Sequence, residues 1–317
     1  MNLKSLFSTA ALACATALAP LSASLIFYDG FLDGGESPTG AEYNTSGFAF
    51  IHNQDPTISP FNAPWDAGSN GTNENVGPRL QGGLSYSGAP ASQGTALAMG
   101  RFGGSGARSE TVSRTAEDDL TPASTAYYGS FMFNMNEAMF NAGSASTFRT
   151  QWYFQRENDP SATTRNLEIG VNGDNQLYII SRRNIVEGEA TSTTAVMSGH
   201  TDTQLVVFQI LDRTDPMNTH GATEQITAWL NPDMSLAPEL WANPLTVEAP
   251  LLRTAGDNNL FNELSMSSSV GGVNQFLMVD EIRLATDWAS IGAIPEPGTL
   301  MLVGIALGAV MLFRRRR

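Results

Sequence analysis

Apolar and polar residues alternate along much of the chain with a period of two, the pattern of half-buried β-strands. The clearest case is a hairpin in which Leu167, Ile169 and Val171 precede an Asn-Gly turn at 172–173, a strong hairpin signal. A nearly continuous apolar run at 204–211 predicts a strand buried on both faces. The same criteria predict strands at 25–28, 48–52, 95–102, 125–135, 148–155, 177–181, 225–230, 261–267 and 276–284.

Turn-forming Gly, Asn, Asp, Ser and Pro separate these segments, and no convincing β-α-β unit interrupts them. Residues 53–94 are rich in Pro, Asn and Gly, which predicts long loops with little regular structure. We therefore predict an all-β fold of about eleven or twelve strands, an antiparallel β-sandwich of the jelly-roll type. In the last strand, Ile282 and Leu284 are predicted to face the side opposite to Glu281 and Arg283.

The two ends of the chain are apolar without alternation. At the start, Lys4 precedes an apolar run at 6–19, Pro20 ends the run and small residues follow, which predicts a signal peptide cleaved near residue 23 or 24. At the other end, residues 299–313 carry no charge and predict one transmembrane helix. Fifteen residues span about 22 Å, which is short for a hydrocarbon core of about 30 Å. Four arginines then mark the cytoplasmic side: Arg314, Arg315, Arg316 and Arg317.

A short motif precedes the predicted transmembrane helix: Pro295, Glu296, Pro297 and Gly298. Because proline cannot continue a helix and keeps its neighbour extended, the motif should be an exposed peptide beside the membrane. The order of motif, apolar run and terminal arginines resembles the PEP-CTERM sorting signal of Gram-negative bacteria. The resemblance implies that an integral-membrane exosortase recognises residues 295–298, removes the helix and passes the protein to the cell surface or the extracellular matrix.

The body of the chain resembles concanavalin A-like lectin/glucanase (laminin G-like) domains. The resemblance rests on the opening at 25–31, a strand that ends in Asn-Pro at 231–232, and a last strand reading Asp280-Glu281-Ile282-Arg283. It implies that the first and last strands pair. The predicted organisation is a signal peptide (1–23), a concanavalin A-like β-sandwich domain (24–291), a linker with the motif (292–298), a transmembrane helix (299–313) and a cytoplasmic basic tail (314–317).

Charge and cysteine content narrow the expected partners. The chain has 17 Lys and Arg against 31 Asp and Glu. Loss of Lys4 and the four terminal arginines would leave 12 basic and 31 acidic residues, a net charge of −19. Such a surface argues against nucleic acid and anionic lipid as partners. Cys14, the only cysteine, lies in the predicted signal peptide, so the mature chain is predicted to have no disulfide and no cysteine nucleophile.

No catalytic pattern emerges from the acidic residues. Retaining glucanases of this fold place two carboxylates about 5.5 Å apart, and the Glu-x-Asp-x-x-Glu spacing that supplies them does not occur. The pair in Glu187-Gly188-Glu189 is predicted to be a solvated loop, and the acidic run at 117–119 a solvated loop or a cation-attracting patch. The glycine-rich segment 100–106 lacks a phosphate-binding lysine. Three histidines lack partners at metal-ligand spacing: His52, His200 and His220.

Two sets of residues leave alternatives open. Glu281 can pair with Arg283 on one face of its strand; alternatively, Asp280 or the loop residue Asp174 coordinates Ca²⁺, which prefers six to eight oxygen ligands. Aromatic residues of a β-sandwich are more often core residues than sugar platforms. This applies to five tryptophans: Trp65, Trp152, Trp229, Trp241 and Trp288.

We therefore expect an exported surface or extracellular-matrix protein without enzymatic activity, with a structural or adhesive role in exopolysaccharide or biofilm. The alternative is a lectin-like carbohydrate-binding module, with or without Ca²⁺. No catalytic residue, metal site or obligatory cofactor is predicted. The expected partners are an exosortase, transiently the inner membrane, and exopolysaccharide or other glycans.

Overall fold

The computed structural model describes residues 25–29, 31, 79–90, 95–102, 108–115, 126–142, 148–155, 167–183, 186–197, 199, 202–211, 223–250, 263–272 and 274–292. This part of the chain contains a short helix α1 (Glu137–Phe140), two 3₁₀ helices (Pro238–Leu240 and Ala289–Ile291) and fourteen strands. The strands are β1 (Leu25–Asp29), β2 (Arg79–Gly82), β3 (Thr95–Arg101), β4 (Arg108–Thr115), β5 (Ala126–Met135), β6 (Phe148–Gln155), β7 (Leu167–Asn172), β8 (Gln176–Arg183), β9 (Val186–Val196), β10 (Gln204–Leu211), β11 (Thr223–Leu230), β12 (Leu245–Pro250), β13 (Glu263–Val270) and β14 (Gln275–Ala285).

The strands form two sheets. The eight-stranded sheet has the order β12-β11-β10-β5-β14-β3-β2, and β1 also pairs with β14. The six-stranded sheet has the order β4-β13-β6-β7-β8-β9. Neighbouring strands run antiparallel in both sheets. The prediction of an all-β, antiparallel sandwich is therefore confirmed.

One apolar core lies between the two sheets. Trp152 of β6 stacks on Phe131 of β5 with 3.7 Å between ring centroids, and Phe154 contacts Phe208 of β10 at 5.3 Å. The alternation that predicted the strands explains this core, because every second side chain of a strand points to the same face. Leu167, Ile169 and Val171 are accordingly fully buried.

The first and last described strands pair, as the family resemblance implied. β1 runs antiparallel to the second half of β14, with Tyr28 opposite Arg283 and Asp29 opposite Ile282. β3 pairs with the first half of β14. A bulge between Asp280 and Arg283 separates the two halves on the β5 side. Leu25 and Ala285, near the two ends of the sandwich, are therefore neighbours.

A second apolar cluster covers the outer side of the eight-stranded sheet. The connecting segments 83–90, 231–241 and 286–292 supply much of it, including Leu84, Met234 and Ile291. Trp229, Trp241 and Trp288 meet edge to face. The outer side of this sheet is thus closed by apolar packing, whereas the outer side of the six-stranded sheet is polar.

Polar strands account for the main differences from the prediction. β2, β4, β9 and β12 were not predicted as strands. β2 has only four residues, β4 and β9 lack an apolar repeat, and β12 has a single alternating pair, Leu245 and Val247. β4 holds its place by pairing with β13, and β9 by pairing with β8, because strand formation depends on neighbours as well as on propensity. β2 also interrupts the loop predicted at 53–94. The prediction of a solvated loop at Glu187-Gly188-Glu189 is wrong, because these residues belong to β9.

Several predicted elements fall outside the described residues. They are the signal peptide (1–23), the strand at 48–52, the motif at 295–298, the transmembrane helix (299–313) and the basic tail (314–317). Within the described ranges, no helix is long and apolar enough to span a membrane.

Candidate functional site

Asp280 and Glu281 lie in the bulge of β14. Asp280 is fully buried; its Oδ2 accepts a hydrogen bond from the backbone N–H of Leu84 at 2.7 Å, and its Oδ1 accepts one from the N–H of Glu281 at 2.8 Å. Glu281 has a left-handed backbone conformation, with φ of 54°, which costs a non-glycine residue about 1–2 kcal/mol. The carboxylate of Asp280 therefore ties segment 83–90 to the sheet and stabilises the strained bulge.

The predicted ion pair between Glu281 and Arg283 is present. Nη2 of Arg283 lies 2.5 Å from Oε2 of Glu281, and the hydroxyl of Tyr28 donates to Oε1 of Glu281 at 2.6 Å. The Arg283 guanidinium also lies over the Tyr28 ring, 5.0 Å from its centroid. Burial and the Glu281 carboxylate raise the pKa of Tyr28, so the hydroxyl keeps its proton. These contacts join β1 to β14.

The structure does not bring the two candidate calcium ligands together. Asp280 lies in the eight-stranded sheet, whereas Asp174 is exposed in the turn between β7 and β8 of the six-stranded sheet. Across the described ranges, no group of three or more His, Cys, Asp or Glu side chains could hold a metal ion. The three histidines, the acidic run at 117–119 and Trp65 lie outside the described residues.

The described tryptophans pack in the apolar clusters. Trp152 is fully buried between the sheets, and Trp229 and Trp241 are at least nine-tenths buried in the outer cluster. The Trp241 indole N–H donates to the backbone carbonyls of Asp233 and Leu236. Trp288 is half-buried. Three of the five tryptophans are therefore core residues, as aromatic residues of a sandwich usually are.

A polar network lies on the outer side of the six-stranded sheet. Gln151 and Tyr153 of β6, Glu168 of β7 and Tyr178 of β8 form it, and their exposed fractions are 1–8%. The register places Tyr153 opposite Glu168, and Gly170 between Gln151 and Tyr178. Because these positions alternate with the core residues, all four side chains share one face.

The carboxylate of Glu168 is the centre of this network. Its Oε1 accepts hydrogen bonds from the Tyr178 hydroxyl, at 2.5 Å, and from Nε2 of Gln151. The Tyr153 hydroxyl donates to Oε1 of Gln151. Burial and the Glu168 carboxylate raise the pKa of Tyr178, so this hydroxyl also remains a donor.

Gly170 allows Tyr178 to lie across the sheet. A Cβ at Gly170 would stand 2.7 Å from the ring carbon and the hydroxyl of Tyr178, closer than packed atoms approach. The absence of a side chain at position 170 therefore lets the tyrosine reach Glu168 on the neighbouring strand.

Hydroxyl groups extend the network towards β13 and β4. Ser265 and Ser267 of β13 lie opposite Tyr153 and Gln151, and the Thr111 hydroxyl of β4 lies 3.2 Å from that of Ser267. We call the face formed by Gln151, Tyr153, Glu168, Tyr178, Ser265 and Ser267 the polar face. Its amide, hydroxyl and carboxylate groups beside tyrosine rings are the kinds of group that fix the orientation of a polar ligand.

The polar face has one central acid. Glu263, at the start of β13, has the same parity but bonds to Ser265. Its Cα lies two strands across the sheet and two residues along it from the Cα of Glu168. Standard sheet spacings make this distance about 12 Å. The carboxylate pair of a retaining glycosidase is only about 5.5 Å apart, and these two positions do not provide it.

The sequence pattern contained part of this site. The alternation that places Leu167, Ile169 and Val171 in the core also places Glu168 on the opposite face. The missing information was the register, since residues 156–166 separate β6 from β7 and give no local signal for which residues face each other. The hydrogen bond between Gln151 and Glu168 depends on that register.

Comparisons with known proteins concern the fold and the C-terminus separately. The chain has no significant match among curated protein sequences. Similar solved structures include the exoplasmic/lumenal domain of VIP36 in its Ca²⁺/Man3GlcNAc-bound form, with 10% identity, a TM-score of 0.40, and coverage of 62% of this chain and 80% of that one. The globular domain of T. cruzi calreticulin is 13% identical, with a TM-score of 0.42 and coverage of 80% and 95%.

A third similar structure is the carbohydrate esterase of the Shiga toxin-encoding bacteriophage phi24B, with 10% identity, a TM-score of 0.41, and coverage of 84% and 100%. At such identities and TM-scores, none of these likenesses indicates a ligand or an activity for this chain. The family comparison is more specific and confirms the resemblance seen at 295–298 and 314–317. Residues 293–317 of this chain are a PEP-CTERM protein-sorting motif.

Proposed function

We propose that this protein is exported through the inner membrane of a Gram-negative bacterium and transiently anchored by residues 299–313. An exosortase then recognises Pro295, Glu296, Pro297 and Gly298 and passes the protein to the cell surface or extracellular matrix. There it has a non-enzymatic, structural or adhesive role in exopolysaccharide or biofilm. The sorting motif at 293–317 is the observation that carries this proposal. The eight- and six-stranded sheets, with β1 beside β14, support a jelly-roll sandwich of the concanavalin A-like type as the delivered domain.

Replacement of Pro295, Glu296 and Pro297 by alanine tests this role. The wild-type protein is expected outside the inner membrane in a shortened form, and the triple variant is expected to stay in the membrane at full length. Pro244→Ala, at an exposed proline of the sandwich, is the matched control and should be processed normally. If wild type and triple variant remain the same full-length membrane species, the proposed processing is wrong.

A second candidate function is carbohydrate binding by the polar face. Its amide, hydroxyl and carboxylate groups are of the kinds that bond to sugar hydroxyls, and Tyr153 and Tyr178 add amphipathic rings. Because the four central side chains are only 1–8% exposed, a sugar would meet the few polar atoms of the network that remain at the surface. The same groups already bond to one another, so their positions are fixed before a ligand arrives. Such preorganisation lowers the entropic cost of binding. The single central carboxylate at Glu168 supports binding rather than glycoside hydrolysis.

A glycan array probed with the secreted protein tests this second function. We expect binding to one class of oligosaccharide, and Tyr178→Phe should weaken it about fivefold, because one hydrogen bond is worth about 1 kcal/mol. Tyr86→Phe, which removes a hydroxyl bonded to the Pro232 carbonyl on the outer side of the other sheet, is the control. A parallel array in EDTA tests a calcium requirement. Absence of binding with and without EDTA would reject carbohydrate binding.

A further inference from the structure

The exposed apolar side chains of the described residues lie beside the point where the chain leaves the sandwich. The three large ones are Leu25, Leu236 and Leu240, with exposed fractions of 46%, 38% and 64%. Leu25 is paired with Ala285 at the end of β14. The Leu236 carbonyl accepts a hydrogen bond from the Trp241 indole, and Leu240 precedes Trp241 in the chain.

Trp288 connects the segment that carries Leu236 and Leu240 to the exit of the chain. Its ring lies 5.3 Å from that of Trp241 and 4.3 Å from that of Tyr128. Trp288 is itself half-buried, so part of its ring faces solvent. We call the surface formed by Leu25, Leu236, Leu240 and Trp288 the exit corner.

The folded body continues to Gly292. Ile291 is 1% exposed in the outer apolar cluster, and the backbone N–H and hydroxyl of Ser290 both donate to the Asp287 carboxylate at 2.9 Å. Gly292 has a φ of 91° and packs so closely on Pro90 that a Cβ would collide with the proline ring. The exit corner is therefore attached firmly to the last residue that the structure describes.

The length of chain beyond Gly292 limits how far the exit corner can be from the membrane. Only two residues separate Gly292 from Pro295, and the predicted transmembrane helix begins seven residues after Gly292. Seven extended residues reach at most about 25 Å. When residues 299–313 are inserted, Gly292 is thus within about 25 Å of the hydrocarbon, and the headgroup layer fills about 5–8 Å of that distance.

The chemistry of the exit corner fits a lipid surface. Exposed leucines can enter the outer acyl region, and half-buried Trp and Tyr rings favour the boundary between lipid and water. Tyr86 and Tyr128 are half-buried members of the same apolar cluster. Exposed Asp233 and Glu239 lie in the segment that carries Leu236 and Leu240. Their negative charges would repel anionic lipids, so the fitting surface is zwitterionic.

We propose that the exit corner rests on the zwitterionic lipid surface while the C-terminal segment is inserted. The sandwich is then held against the membrane beside its sorting motif until the segment is removed. This inference depends on the anchoring by residues 299–313 in the proposed function. It adds a membrane-contact surface on the folded domain to that anchor.

A single fluorescent label can test this contact in the full chain. Cys14 is the only cysteine, so a Cys14→Ser background allows one new thiol to be labelled with a polarity-sensitive dye. Leu240→Cys probes the exit corner, and Asp174→Cys, in the exposed turn between β7 and β8, is the control. The labelled chains are reconstituted into phosphatidylcholine vesicles, and flotation measures their anchoring separately.

We expect both labelled chains to float with the vesicles. The emission at position 240 should shift to the blue on reconstitution, whereas that at position 174 should not. Phosphatidylglycerol in the vesicles should reduce the shift at 240, and Leu25→Cys should repeat it. If the chains float but the labels at 240 and 25 report water, the membrane contact is wrong and the anchor stands. If the chains do not float, the anchoring fails and the inference fails with it.

Discussion

The ion pair between Asp29 and Arg114 connects the N-terminal strand to the opposite sheet. Nη1 of Arg114 on β4 lies 2.7 Å from Oδ2 of Asp29 on β1, and both side chains are at most 1% exposed. The other oxygen of Asp29 accepts a hydrogen bond from the N–H of Phe31 at 3.0 Å. Replacement of either charged residue alone should therefore destabilise the sandwich strongly.

The expected magnitude follows from the burial of both charges. Removal of one partner takes a charged contact from the other charge, which stays buried, and breaking a buried ion pair in this way typically costs about 3–5 kcal/mol. Asp29→Leu should cost somewhat more than Arg114→Met, because it also removes the hydrogen bond to Phe31, worth about 1 kcal/mol. The double variant removes both charges of the pair together, and apolar replacement of a buried pair is often close to neutral. We therefore predict that the double variant is more stable than either single variant.

Equilibrium unfolding of the mature protein in guanidinium chloride, followed by tryptophan fluorescence, measures these changes. A double-mutant cycle should give a coupling energy of about 2 kcal/mol or more, within the range known for residues in direct contact. Glu239→Gln, at an exposed acid, should change stability by less than about 0.5 kcal/mol. If a single variant costs less than about 1 kcal/mol, or the two costs simply add, the ion pair does not stabilise the contact between the two sheets.

Three further predictions concern the hydrogen-bond networks. The free energy of unfolding should fall as the pH rises above about 10, the ordinary tyrosine pKa. The raised pKa values keep Tyr28 and Tyr178 protonated in the folded state. The same tyrosines ionise in the unfolded chain, and this ionisation favours unfolding. Melting temperatures from pH 8 to 11 measure this loss of stability, and Tyr28→Phe and Tyr178→Phe should each reduce it. An unchanged loss in both variants would show that these two tyrosines do not cause it. Gly170→Ala should cost about 1–3 kcal/mol from overpacking against the Thr150 carbonyl and Tyr178, whereas Gly82→Ala, where no atom lies within 4 Å, should show no overpacking cost in the same unfolding assay. Asp280→Asn should cost about 1–3 kcal/mol, because an amide NH₂ would face a backbone N–H donor; equal stability would mean that the bulge does not depend on this carboxylate.

The sequence predicted strands correctly where apolar segments are bounded by turn-forming residues. β6 and β10 have the predicted bounds, and the β7–β8 hairpin forms around its Asn-Gly turn. β4 and β9 could not be predicted in this way. Val112 is the one apolar residue of β4, and β9 contains the run Thr191-Ser192-Thr193-Thr194. Such strands are fixed by the partners beside them, and a local pattern does not specify those partners.

The candidate sites show the same division between local and distant information. The pairing of Glu281 with Arg283 could be predicted, because residues two apart on a strand share a face. The hydrogen bond that the Leu84 N–H donates to Asp280 could not, because the two residues are 196 positions apart, and no local pattern marks the left-handed conformation of Glu281. The polar face likewise needs the register of β6 against β7.

The central claim is that the sorting motif directs removal of the C-terminal segment and release of the sandwich. The most direct measurement is the intact mass of the exported protein from cells with and without an active exosortase. With the enzyme, we predict a species outside the inner membrane that begins near residue 24 and lacks residues 299–317. Without it, the membrane-bound protein should retain all of those residues. A full-length C-terminus on the exported protein in both strains would contradict the account.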